Sequence, residues 1–255
     1  MLTFFPELAP QLILLSCLVA VLAGVIKGMV GFAMPMVLIS GLGSFLSPEL
    51  ALAGLILPTL VTNGMQALRQ GTKAALASVR RFRVFLLAGL VTLVISAQFV
   101  RVLPVEVMLL MIGVPVALFS VAQLFGLHLS LARPSFRAEA MIGGFAGLIG
   151  GISGVWGPPT VAYLTAINTE KRDQMRVQGV IYGLGAVALA GAHLGSGVLR
   201  AETAPFSALL VIPAVCGMWI GTRIQDRIDQ AQFRRATLLV LTIAALNLVR
   251  RAVFG

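Results

Sequence analysis

The chain has 255 residues, of which 58% are hydrophobic and 11% charged, against about a quarter charged in a soluble domain. That balance excludes an ordinary water-soluble globule, and several apolar stretches approach the ~20 residues that cross a bilayer as helix. The net charge of +10 is concentrated: 14 of the 19 Lys and Arg fall in the segments 69–83, 128–139, 168–176 and 223–235, the pattern of loops held on one side of a membrane. Binding of nucleic acid therefore need not be invoked.

Backbone polar groups in lipid are satisfied only in helices or a closed barrel. The apolar runs are continuous rather than alternating, which predicts helices. In chain order they cover 10–46, 50–68, 84–102, 104–127, 138–168, 177–199, 203–222 and 235–253. As single helices, 10–46 would be ~55 Å long and 138–168 ~46 Å, too long for a hydrocarbon core of ~30 Å. Each carries glycines and prolines near its middle, so each is expected to be a broken or hairpin segment. Cys17 and Cys216 lie inside apolar segments and read as small core residues, not as a disulfide or metal ligands. No basic n-region precedes the first apolar run, so no cleaved signal peptide is expected.

The halves resemble each other. "KGMVGFAMP" at 27–35 parallels "SGVWGPPT" at 153–160, and "NGMQ" at 63–66 lies near the offset of "AGAH" at 190–193. Each anomalous segment is followed by three ordinary ones. The expected fold is an all-α integral membrane protein of two repeats, 1–130 and 131–255, each a broken or hairpin segment plus three transmembrane helices. All four basic segments can face the cytoplasm only if 138–168 enters and leaves on the same side. The same rule applied to 10–46 places the N-terminus outside and inverts the two repeats, with Arg250 and Arg251 left on the outer side.

Inverted repeats with interrupted segments point to a binding site at the breaks. Interrupting a helix frees backbone N–H groups whose partial positive charge suits an anion. Gly28, Gly31, Gly154 and Gly157 allow the turn or a close backbone approach, and Pro35, Pro158 and Pro159 suit helix starts. The alternative role for such glycines is close helix packing, for which Gly143, Gly147 and Gly151 have the spacing. Lys27 is the sharper signal, because an ammonium at membrane depth costs ~2.5–3.5 kcal/mol on insertion scales. The spans are read as lacking an acid to pair with it, so an anionic ligand is a sensible partner; snorkelling to the interface is the alternative. Asn63 and Gln66 share a helix face with Thr59 and Thr62. Gln178, Tyr182 and His193 come from the equivalent helix of the second half, and Ser153 and Trp156 from its broken segment. His193 could relay protons or simply bond between helices.

Three stretches carry a resemblance: "GVIKGMVGFAMPMVLISGLGSFLSPELALAG", "GLIGGISGVWGPPTVAYL" and the tail "IPAVCGMWIGTRIQDRIDQAQFRRATLLVLTIAALNL". They resemble the TauE/SafE sulfite exporter family of membrane permeases over nearly the whole chain. The resemblance implies transport of a small sulfur-containing or organic anion, such as sulfite or a sulfonate. Phe32 is followed by Ala33 where the family often continues with glycine, and Trp156 interrupts the second glycine run.

The reading is a secondary transporter, multi-pass in the cell membrane (the bacterial inner membrane by resemblance). Its expected partners are a small anionic substrate, the lipid bilayer and a coupling ion, proton or sodium. No Walker A pattern is present. An anion channel and a membrane assembly or maturation factor are the alternatives. An enzyme is not expected, for want of a nucleophile–base pair or metal-ligand motif, and no cofactor is called for.

Overall fold

The computed structural model describes residues 9–97, 104–127, 135–153, 157–195 and 198–254. Among them the chain forms eleven helices and no strand: α1 Pro10–Val30, α2 Met34–Leu42, α3 Pro48–Leu68, α4 Thr72–Arg81, α5 Arg83–Ala97, α6 Val105–Leu124, α7 Phe136–Ser153, α8 Gly157–Ala166, α9 Lys171–Gly195, α10 Ala204–Arg227 and α11 Gln230–Phe254. Among the described residues, four stretches are long and apolar enough to cross a membrane: Pro10–Val30, Glu49–Leu68, Ala204–Arg227 and Gln230–Phe254. The helices gather into two compact units, one of residues 1–71 with 178–229, the other of 72–177 with 230–255. Each unit thus takes part of each sequence half.

In the first unit α1 and α10 run parallel at very short range, through a matched pair of small-residue motifs. An added Cβ at Gly24 or Gly28 would lie 2.2 Å from the Ala214 or Met218 carbonyl oxygen, and one at Gly217 or Gly221 would lie 2.1 or 2.0 Å from that of Val21 or Val25. Only glycine lets two helix backbones meet so closely, and dispersion replaces hydrophobic drive in lipid. α3 is parallel to α10 as well. Glu49 pairs with Arg200 near the start of each helix, the Leu57 N–H donates to Ser207 Oγ at 3.1 Å, and Arg69 meets Gln225 and Asp226 at the other end.

α2 runs against these helices. Met34 accepts a contact from Thr62 Oγ1 at 3.3 Å, while Gly41 faces Val19 and the Leu42 side chain reaches Gly54. Its residues Met34, Leu38 and Leu42 recur every four positions and are fully buried, so this short helix has one face in the core. Segment 10–46 therefore does turn back, but asymmetrically: α1 has 21 residues, about 31 Å at 1.5 Å each, and α2 only 9. Ser47 caps the start of α3 by accepting from the Leu50 N–H at 3.3 Å, with Glu49 in the first turn, both suited to a helix N-terminus.

The second unit repeats the device with α7, α8 and α5. Gly143 and Gly147 of α7 pack on the backbone of α5, a Cβ at Gly147 falling 2.0 Å from the Gly89 carbonyl oxygen. α7 and α5 run parallel. α8 returns against them, bringing Tyr163 to stack on Phe85 with ring centroids 5.7 Å apart. α6 and α11 are antiparallel, with Thr242 donating to Ser120 Oγ at 2.9 Å and Gly113 set against Ala245 and Val249.

Two expectations change here. The basic stretch 69–83 holds a helix, α4, rather than a plain loop. The spans are also not free of acid: Glu139, in the first turn of α7, is 5% exposed and pairs with Arg81 at 2.8 Å. It stands near the edge of its apolar segment, where Arg81 at the end of α4 supplies the counter-charge.

Candidate functional site: the break between α1 and α2

The break lies over Gly31–Ala33, and the chain turns there through two left-handed residues. Gly31 has φ 88° and caps α1, its N–H donating to the Lys27 carbonyl at 2.7 Å; Ala33 has φ 71° and opens α2. Glycine adopts this conformation freely. Ala33 does so at a cost of order 1 kcal/mol, which the packed core around α2 must offset.

Ending α1 exposes its last carbonyls. Gln66 Nε2 donates to the Gly31 carbonyl at 3.1 Å. The Gln178 amide, in the orientation that satisfies both its ends, donates to the Val30 and Gly31 carbonyls at 3.1 Å each. Two side-chain amides from α3 and α9 thus serve as C-caps for α1. Gln66 and Gln178 are 1% and 0% exposed. Both are buried for a reason: a helix end inside the protein needs partners.

Lys27 sits in the last turn of α1 and is 1% exposed. Its Nζ donates to Asn63 Oδ1 at 2.5 Å. The Asn63 amide is oriented by its other end, Nδ2 donating to the Tyr182 carbonyl at 3.3 Å, so its oxygen has to face the ammonium. The cation gains from the negative end of the α1 dipole, yet its hydrogen-bond partner is neutral. Among the described residues buried in this unit there is no carboxylate. The start of α2 adds N–H groups without a side-chain cap. One turn along α3 from Asn63, Thr59 is 5% exposed and its hydroxyl has no partner among the described residues. A buried ammonium, fixed amides, an unengaged hydroxyl and an uncapped helix start form a pocket chemistry suited to a small anion.

The structure brings Lys27, Gly31, Asn63, Gln66, Gln178 and Tyr182 together, with Tyr182 contributing its backbone carbonyl. Gly28 faces α10 and belongs to helix packing. Gly157 opens α8 in the other unit. Gly154 and Trp156 lie outside the described residues, and so do the side chains of Ser153 at the end of α7 and His193 in α9. The left-handed Ala33 went unforeseen, since nothing in its residue type signals that conformation. Thr59 could be placed by its i, i+4 spacing to Asn63.

The family model described as Sulfite exporter TauE/SafE matches residues 16–248. That span runs from within α1 through most of α11 and includes every residue of the α1–α2 break. The chain belongs to the TauE/SafE sulfite exporter family. It is accordingly a membrane protein of a transport family. No curated protein and no solved structure matches it.

Proposed function

We propose that this TauE/SafE protein is a secondary transporter of a small sulfur-containing or organic anion, such as sulfite or a sulfonate, and that the anion binds at the α1–α2 break. The observation carrying this reading is Lys27, buried to 1% and bonded to the neutral Asn63. A charge held that deep costs several kcal/mol unless compensated, and a substrate anion would compensate it during transport. Gln66 and Gln178 hold the end of α1 next to it, and Thr59 lies one turn along α3 from its partner Asn63. A coupling proton or sodium ion would supply the energy.

The halves 1–130 and 131–255 are read as two repeats of opposite orientation in the cell membrane. The hairpin of the first half packs on α10 of the second, and that of the second packs on α5 of the first, the exchange that inverted repeats produce. The basic stretches support a cytoplasmic face. In the second unit Arg81 with Glu139, Arg176 with Ser78, and Arg234 with Gln123 and Asn168 gather the basic ends of five helices on one side. With that face cytoplasmic, the N-terminus is outside.

The test is flux of labelled sulfite, sulfonates and carboxylates in proteoliposomes under imposed proton or sodium gradients. Saturable, gradient-driven transport that Lys27→Gln abolishes is expected. Gradient-independent currents would favour a channel, and no flux of any anion would favour a non-transport role in membrane assembly.

A further inference from the structure

A second cavity lies wholly in the other unit, at the end where α6 and α8 finish and α9 and α11 begin. Its volume is about 530 Å³, within the roughly 300–1,000 Å³ of small-molecule sites. Among the described residues its lining includes Gln123, Thr165, Thr169, Gln174, Arg234 and Arg235, and no carboxylate.

The charge in this cavity is unbalanced. Arg234 donates to Asn168 Oδ1 at 2.9 Å and to Gln123 Oε1 at 2.6 Å. Two neutral amide oxygens fix the guanidinium without neutralising it. Arg235 stands beside it in the second turn of α11, whose first turn holds no acid, with Asp229 directly preceding the helix. The remaining lining amide of α11 is committed elsewhere: Gln230 accepts from the Lys171 N–H at 2.8 Å and donates to the Thr169 carbonyl at 3.2 Å. A second signal is independent of charge. Thr165 is 4% exposed, and the hydroxyls of Thr165 and Thr169 are buried with no hydrogen-bond partner among the described residues. A buried hydroxyl left without a partner is costly. Threonine in both places, where valine would fill the same space, leaves each hydroxyl with an unused donor.

We infer that this cavity binds an oxyanion, a phosphate, phosphonate or sulfonate group, through Arg234, Arg235 and the two threonine hydroxyls. Guanidinium groups match the oxygens of such anions with paired hydrogen bonds. The volume leaves room for an organic body beyond the charged group. The carrier of the group is either a soluble anion or the headgroup of an anionic lipid, since basic pockets at helix ends also take lipid phosphates. The site is separate from Lys27 and does not depend on the role given to that residue.

The test uses the full-length chain, purified in neutral detergent for calorimetric titration with inorganic phosphate at constant ionic strength, and in nanodiscs of zwitterionic lipid with or without phosphatidylglycerol for melting. Thr165→Val and Arg235→Gln are the variants, because Arg234 also ties Asn168 to Gln123 and its loss could unfold the region. Phosphate affinity, or the melting shift given by phosphatidylglycerol, should fall at least about fivefold in Arg235→Gln and about threefold in Thr165→Val, in line with losing a charge-assisted and a neutral hydrogen bond. Thr165→Val should melt no lower than the parent. Variant-sensitive binding of free phosphate assigns a soluble ligand, and a variant-sensitive shift confined to phosphatidylglycerol assigns a lipid. Binding that neither variant weakens, or no phosphate or lipid response in the parent, overturns the site.

Discussion

The two hairpins use one backbone device for different chemistry. In each unit a long helix ends, a short one returns, and glycines set the long helix against a partner from the other half of the sequence. In the α1–α2 hairpin the buried charge is Lys27, facing Asn63. In the α7–α8 hairpin it is Glu139, paired with Arg81 while Tyr163 stacks on Phe85. One hairpin keeps a charge without a counter-charge, and the other neutralises its own. A buried charge that is already paired contributes to structure. One left facing a neutral amide carries a desolvation cost that a bound anion would offset.

The largest effects should come from the shared device and be equal in the two hairpins. Gly28→Val in α1 and Gly147→Val in α7 each force a side chain into the backbone of the facing helix, at 2.2 and 2.0 Å from a carbonyl oxygen. Overpacking of this kind costs roughly 1–3 kcal/mol or more. Both variants should yield little folded protein by size-exclusion chromatography in detergent. A well-folded Gly147→Val beside a collapsed Gly28→Val would show that only the first hairpin depends on close packing.

Next come the caps of α1. Gln178→Leu leaves the Val30 carbonyl without its side-chain donor, a loss of about 1–3 kcal/mol, while Gln66→Leu leaves the Gly31 carbonyl with Gln178 alone and should cost less. Melting temperature and flux should fall together. In the second hairpin Arg81→Gln leaves Glu139 buried beside a weaker partner and should lower melting temperature without changing substrate affinity. The loss stays below that of a fully buried pair, since the Arg81 side chain is 52% exposed. The smallest effect belongs to Asp226→Asn, which removes the partly exposed pair with Arg69. It should cost under about 1 kcal/mol, and added salt should erase the difference.

Much of this was legible in the sequence. The apolar segments fall on helices because continuous hydrophobicity over twenty residues has few other solutions in lipid. Both interruptions were legible from length together with the glycines and prolines near the middle of 10–46 and 138–168, each too long for one span. Lys27, Asn63, Gln66 and Gln178 could be singled out as polar groups where polarity is expensive. Their grouping around one helix end could not, because it depends on how α1, α3 and α9 pack. The roles of neighbouring glycines were not separable either: Gly28 touches α10 and Gly31 turns the chain, although they are three residues apart in one motif. α4 was missed because its charged residues matched a loop pattern, and Glu139 because the edge of a span looks like its interior in a hydropathy reading.

The most direct measurement is anion flux per folded protein for Lys27→Gln set beside Glu139→Gln, each with its melting curve. Lys27→Gln should lose at least about tenfold in flux while melting at or above the parent, because removing an uncompensated buried charge relieves desolvation. Glu139→Gln should melt lower and keep its flux per folded molecule near that of the parent. Normal flux in Lys27→Gln would contradict the assignment of the anion to the α1–α2 break.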